Sequence, residues 1–248
     1  MSAPPLIEVR NLSRHFGLFK ALSNVSVSFA PNQLTAIIGP NGAGKSTFFN
    51  VLSGAMPPTN GQVLFEGQDI TALQPHAYAR RGIAKSFQIT NVFKQLSVHE
   101  NVRVAAQMRY SRYALFKPRS QIGEAIDEAD ALLERVGLTA LRNKTVADLA
   151  HGQQRSLEIA MALAAKPKLL LMDEPTAGMS PEETASMMEL ITALAKERTV
   201  ILVEHKMKLV MGICERLIVL HHGEFLAQGT ADEIRNNDEV RRVYLGQG

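Results

Sequence analysis

The sequence predicts an α/β fold with a mostly helical lobe inserted between two α/β halves. Three observations predict it. Residues 34–39, LTAIIG, form a short apolar run that leads into a glycine-rich loop, GPNGAGKST, and then into a helical pattern. Residues 168–175, KLLLMDEP, hold an unbroken apolar run between Lys168 and Asp173, which suits a strand covered on both faces. Between these two stretches, from about residue 97 to 165, the apolar spacing changes from strand-like to helical.

The elements follow in order. Residues 6–10 (LIEVR) and 25–29 (VSVSF) read as short strands separated by turn residues. The run 34–39 is a buried strand, and 45–54 a helix closed by Gly54. Residues 57–70 read as loop, strand and turn, and 71–85 as a short helix with a strand edge. Ser97 stands three residues before Glu100, a capping-box spacing that starts a helix reaching about Met108. KPRS at 117–120 is a break, and 121–138 is a strongly amphipathic helix. A third helix follows HGQQ. Strand patterns then return at 168–175 and 199–205 around a helix with Pro181 at its start. The end of the chain reads as a hairpin around His222 and Gly223 and a helical tail.

Composition narrows the function classes. The 248 residues are 46% apolar, ample for a core, with a net charge of +3. The basic residues are scattered, which argues against a nucleic-acid partner. Cys214 is the single cysteine; a disulfide framework is impossible, and a small buried apolar role fits it. The opening MSAPPLIEVRNL lacks the pattern of a secretory signal. The longest apolar runs are about seven residues, against the roughly 20 that a membrane span needs.

Two segments carry the chemistry. GPNGAGKST matches G-x-x-x-x-G-K-[ST] with Gly39, Gly44, Lys45 and Ser46, placed between a strand and a helix. In such a loop the backbone N–H groups of Gly39, Pro40, Asn41, Gly42, Ala43, Gly44, Lys45, Ser46 and Thr47 (Pro40 excepted as a donor) wrap phosphate oxygens. Lys45 meets the β/γ-phosphates, and the Ser46 hydroxyl a Mg²⁺ ion. LLLMDE ends its strand with Asp173, suited to a metal shell, and Glu174, suited to take a proton from an attacking water. LAHGQQRSLEIA, 149–160, raises a further question. A glycine at the mouth of a helix leaves backbone donors and the positive dipole end open to an anion. This second anion site, around His151, Gly152 and Gln153, lies about a hundred residues from the first.

The order of phosphate loop, Gln88 in AKSFQIT, LAHGQQ 21 residues before Asp173, and His205 after VILVE resembles the ATP-binding subunits of ABC transporters over nearly the whole chain. The resemblance implies a P-loop NTPase core with a mixed sheet and flanking helices, and an N-terminal antiparallel β subdomain. It implies a helical subdomain over about 89–165 carrying the signature motif, and a helical tail over about 231–248, all within one ATPase domain. It also answers the question of the two anion sites: each is half of a nucleotide pocket closed by a second ATPase subunit, identical or paralogous, in a head-to-tail dimer. ATP and Mg²⁺ are the implied cofactors.

Residue by residue, Phe16 is where the family stacks an aromatic on adenine, with a core role or a swap with Phe19 as alternatives. The resemblance implies that Gln88 touches Mg²⁺ and the attacking water, and that His205 holds the γ-phosphate and positions the water of Glu174. The signature departs from the family at Ala150, usually serine, and His151, usually glycine; Ser180 stands where an aspartate is common. The apolar Val92, Phe93 and Leu96 near Gln88 are the expected seat for transmembrane permease subunits. The resemblance also implies a peripheral subunit on the cytoplasmic face of the inner membrane, served indirectly by a periplasmic or extracellular substrate-binding protein. GQQRSLEIAMALAAKPKLLLMDEPTAGMSPEET and DEVRRVYLG are similar to the branched-chain amino acid import branch. Urea or amide importers, a lipopolysaccharide exporter and a soluble iron–sulfur assembly ATPase are the alternatives.

Overall fold

Strands buried on both faces need cover on both sides, and this chain supplies it with two layers of different kinds. The computed structural model describes residues 4–86, 92–110 and 119–245. Its strands are β1 (Ile7–Phe16), β2 (Phe19–Phe29), β3 (Leu34–Ile38), β4 (Asn60–Phe65), β5 (Gln68–Asp69), β6 (Ile83–Ser86), β7 (Leu169–Asp173), β8 (Thr199–Val203), β9 (Arg216–His221) and β10 (Glu224–Gly229). The helices are α1 (Lys45–Leu52), α2 (Pro75–Arg80), α3 (Val98–Tyr110), α4 (Arg119–Arg135), α5 (His151–Leu163), α6 (Pro181–Ala195), α7 (Met207–Ile213), α8 (Ala231–Asn236) and α9 (Asp238–Leu245).

The central sheet runs β10-β9-β3-β8-β7-β6 and is mixed. Five strands are parallel, and β10 turns back antiparallel on β9. A second sheet, β2-β1-β4-β5, is antiparallel throughout. Strand period divides the central sheet's side chains between two cores. Ile37, Leu169, Leu171, Ile201, Val203 and Ile218 join the antiparallel sheet and α1, where Phe48 and Phe49 are fully buried. Ala36, Ile38, Leu170, Met172, Leu202 and Val219 face α5, α6 and the other helices.

Several boundaries differ from the sequence expectation. β1 and β2 are twice as long as the two apolar patches, because Asn11 and Asn24 take positive φ at irregularities that break the alternation. α4 starts at Arg119, so the last two residues of KPRS are helical. α3 extends to Tyr110, beyond Met108. Its Ser97 hydroxyl accepts the Glu100 N–H at 3.1 Å, while the Glu100 carboxylate turns to Arg103 instead of closing the box. α7 falls in a stretch with no expected helix. The tail is two helices broken at Asn237, whose side chain accepts the N–H groups of Glu239 and Val240. Through α9, Tyr244 packs on the helix-side core beside the Gly39 backbone, and burial pushes its phenol up.

Candidate functional site

Because β3, β7 and β8 are adjacent and parallel, their carboxyl ends meet at one edge of the sheet, where ligands of open α/β sheets gather. Segments from the ends of all three strands converge there, joined by β2. A cavity of about 320 Å³ is walled by Phe19, Ala21, Asn41 through Thr47, Glu174 and His205. Gly44 lets the loop close: its φ is +94°, and a Cβ there would lie 2.6 Å from the Ala21 carbonyl oxygen.

Lys45 is 6% exposed and its ammonium donates to the carbonyls of Gly39 at 2.7 Å and Pro40 at 2.9 Å. Burial holds it below its ordinary pKa, and Glu174 and Asp173 pull the other way. At the end of β7, burial pushes the Asp173 carboxyl up; Lys85 counters this, the neighbouring Glu174 adds to it, and Arg155 and His205 oppose it. Lys85 itself is lowered by burial and donates to Asn50 at 2.7 Å. Glu174 holds a left-handed backbone, φ +46°, unusual for a residue with a side chain and a mark of stored strain. Its carboxylate meets His205 Nε2 at 2.7 Å.

The second expected anion site is elsewhere. His151, Gly152 and Gln153 form the first turn of α5, and none of them walls the cavity of Lys45. The Gln153 side chain accepts the Ala150 N–H at 3.1 Å, but Ala150 has no oxygen to return to the helix donors. Gly152 is pressed against α6, where a Cβ would come 2.6 Å from the Glu183 carboxylate. The His151 ring lies beside Gly178. Ser180 is the N-cap of α6: its hydroxyl accepts the Glu183 N–H at 3.2 Å, and Glu183 accepts the Ser180 N–H at 3.0 Å. That Ser-x-x-Glu pattern was readable in the sequence, and explains a serine there by capping alone.

Two aromatic candidates separate. Phe19 walls the cavity, whereas Phe16 does not and lies 4.8 Å beneath the Arg14 guanidinium. Gln88 lies outside the described residues. Phe93 and Leu96 are exposed, and Val92 is partly buried against the helix-side core. Cys214 is buried, which pushes its thiol up to about 12.

Two residues escaped the sequence reading. Arg155, one turn into α5, donates to the Asp173 carbonyl at 2.6 Å and pairs with Glu158 at 2.8 Å. Its signal was a charged i, i+3 pair inside an otherwise apolar helix face. Glu204 was visible as a charge directly continuing a buried strand.

Comparison with known proteins agrees with this geometry. The ABC transporter family model matches residues 22–177, and that of the branched-chain amino acid ATP-binding cassette transporters matches 226–248. The high-affinity branched-chain amino acid transport ATP-binding protein LivG of Escherichia coli is 41% identical over 98% of both chains. The solved ADP conformation of the ATP-binding cassette MJ1267 superposes with a TM-score of 0.86 at 30% identity, covering 99% of this chain and 100% of that one. A dimeric post-hydrolysis cassette, MJ0796 bound to ADP and Pi, superposes with a TM-score of 0.77 at 27% identity over 91% and 98%. No helix among the described residues is long and apolar enough to cross a membrane. The chain belongs to the ABC transporter family, as one of its ATP-binding, ATP-hydrolysing cassettes.

Proposed function

We propose that this chain powers a membrane importer of branched-chain amino acids, as one of two ATPase subunits docked on transmembrane permease subunits at the cytoplasmic face. The observation that carries the motor reading is the division of parts. Lys45, Glu174 and His205 wall one cavity, and the helix start at 151–153 lies outside it. A helix start that does not wall its own chain's pocket suits the pocket of a neighbour. The cargo reading is supported by the full-length similarity to LivG and by the match over the C-terminal residues.

In this reading the triphosphate lies along residues 39–47. Lys45 exchanges the carbonyls of Gly39 and Pro40 for the β/γ-phosphates. Glu174 accepts the proton of an in-line water while His205, already on its carboxylate, orients it. The partner subunit's copy of the 151–153 turn closes on the γ-phosphate, and the missing hydroxyl at Ala150 leaves that closure to backbone donors. Hard oxygen donors and a buried, poorly compensated Asp173 carboxyl fit Mg²⁺; Ser46, Asp173 and Gln88 would hold it. That ion would neutralise charge between the β- and γ-phosphates. The whole chain is then one ATPase domain, with 89–165 as its moving helical lobe and 231–248 as its tail.

Glu174→Gln should bind ATP, form a stable dimer on a sizing column and lose turnover by at least about 100-fold. Wild-type hydrolysis would remove Glu174 from the base role. For the cargo, the permease co-purified from membranes and reconstituted with its binding protein should take up leucine. Uptake of urea in its place would overturn the branched-chain assignment while leaving the motor intact.

A further inference from the structure

β8 ends at Val203, and the next residue is a carboxylate that the mechanism above does not use. Glu204 is 4% exposed. A carboxylate at that depth is tolerable only when its oxygens are supplied with donors. One oxygen accepts the backbone N–H groups of His205 at 2.8 Å and Lys206 at 3.3 Å. The other accepts the Thr176 hydroxyl and the Thr176 backbone N–H, the latter at 3.3 Å. The Lys206 ammonium crosses the same junction to the Thr176 carbonyl at 3.2 Å. Thr176 is fully buried.

These partners have a common address. Thr176 is two residues beyond Glu174, and His205 is the next residue after Glu204. β7 and β8 run in register, Asp173 beside Val203, so their loops leave the sheet side by side. The Glu174 N–H donates to the Val203 carbonyl at 2.9 Å.

Building on the roles proposed for Glu174 and His205, we infer that Glu204 is a positioning residue for hydrolysis. It ties the main chain at His205 to the turn that carries Glu174, and so keeps the imidazole on the carboxylate. The chain after Thr176 leads to α6 past Gly178, which lies beside the His151 ring.

The test is Glu204→Gln in the full chain, read by steady-state ATPase and by direct MgATP binding. Glutamine keeps the size but turns one acceptor into a donor, setting it against the N–H groups of Thr176 or of His205 and Lys206. kcat should fall about 10- to 100-fold, as for a misplaced catalytic group, while ATP affinity stays within about twofold. In a His205→Ala background the same substitution should cost less than about twofold more, because it acts through His205. Thr176→Val removes only the hydroxyl donor and should lower kcat about fivefold with affinity kept; it decides the matter if Glu204→Gln does not fold. A wild-type kcat, a full further loss in the His205→Ala background, or a parallel loss of affinity and kcat would overturn the inference. Glu174→Gln and His205→Ala alone judge the parent reading. Fast turnover in either sinks that reading, whereas slow turnover in both with a normal Glu204→Gln sinks only the positioning role.

Discussion

Arg155→Met tests how the start of α5 is fastened to the end of β7. Arg155 is 6% exposed and Glu158 7%, so water screens the pair little and no surface discount applies. Removing Arg155 takes from the buried Glu158 its charged partner at 2.8 Å and from the Asp173 carbonyl its donor at 2.6 Å, and breaking a buried pair from one side costs about 3–5 kcal/mol. For a chain of this length each kcal/mol moves the melting temperature by about 2–4 °C, so the drop should be about 6–20 °C. Arg155→Met/Glu158→Met removes both charges. The Asp173 carbonyl still loses the donor it had at 2.6 Å, a cost of about 1–3 kcal/mol. The double variant should therefore be more stable than the single one. Thermal unfolding at neutral pH, repeated in urea, reads both. A double variant as unstable as Arg155→Met, or a single variant losing under about 1 kcal/mol, would refute the claim that the pair's charges dominate this junction.

Two other outcomes follow from the site and its rim. Burial raises the Asp173 carboxyl, so the folded state favours its protonated form. Above the raised pKa the charge costs stability; as pH falls through it the cost fades, and below the ordinary aspartate value it is gone. Asp173→Asn should thus unfold at higher urea than the wild type at neutral pH. The gap should close as pH is lowered towards 4, and turnover should be lost by about 100-fold or more. A gap that widened in acid would reverse the assignment. Phe93, part of the expected permease seat, is 54% exposed. Phe93→Asp should cut coupled uptake by at least about tenfold while leaving basal ATPase within about twofold; unchanged uptake would move the seat elsewhere.

The phosphate loop, the β7 carboxylates and the start of α5 were legible because each is a local pattern: residue types a few positions apart that set one turn. Glu204 was not, since its partner Thr176 stands 28 positions away and only the β7–β8 pairing brings them together. The same holds for Arg155 and Asp173, 18 positions apart. α7 was missed for a different reason. It is seven residues long, has no side-chain cap, and carries Gly212 near its end, so packing on the helix-side core replaces intrinsic propensity. The choice between Phe16 and Phe19 turned on hairpin geometry: the two face each other across a turn at Gly17, and motif spacing carries no information about which one reaches the cavity.

The partition of the central sheet's side chains has a mechanical meaning. The phosphate loop and α1 are rooted in one stratum of hydrocarbon, the helical elements in the other, and a single thickness of strand separates them. Work done in the pocket cannot cross by side chains jostling through the sheet, because alternate residues along β3, β7 and β8 belong to opposite strata. The polar bonds that knot the strand tips together are where the two strata are tied besides the strands themselves. On the roles proposed for Glu174 and His205, those edge contacts are where the coupling of fuel consumption to movement would be tuned, with the two oily layers keeping the bulkhead between them stiff.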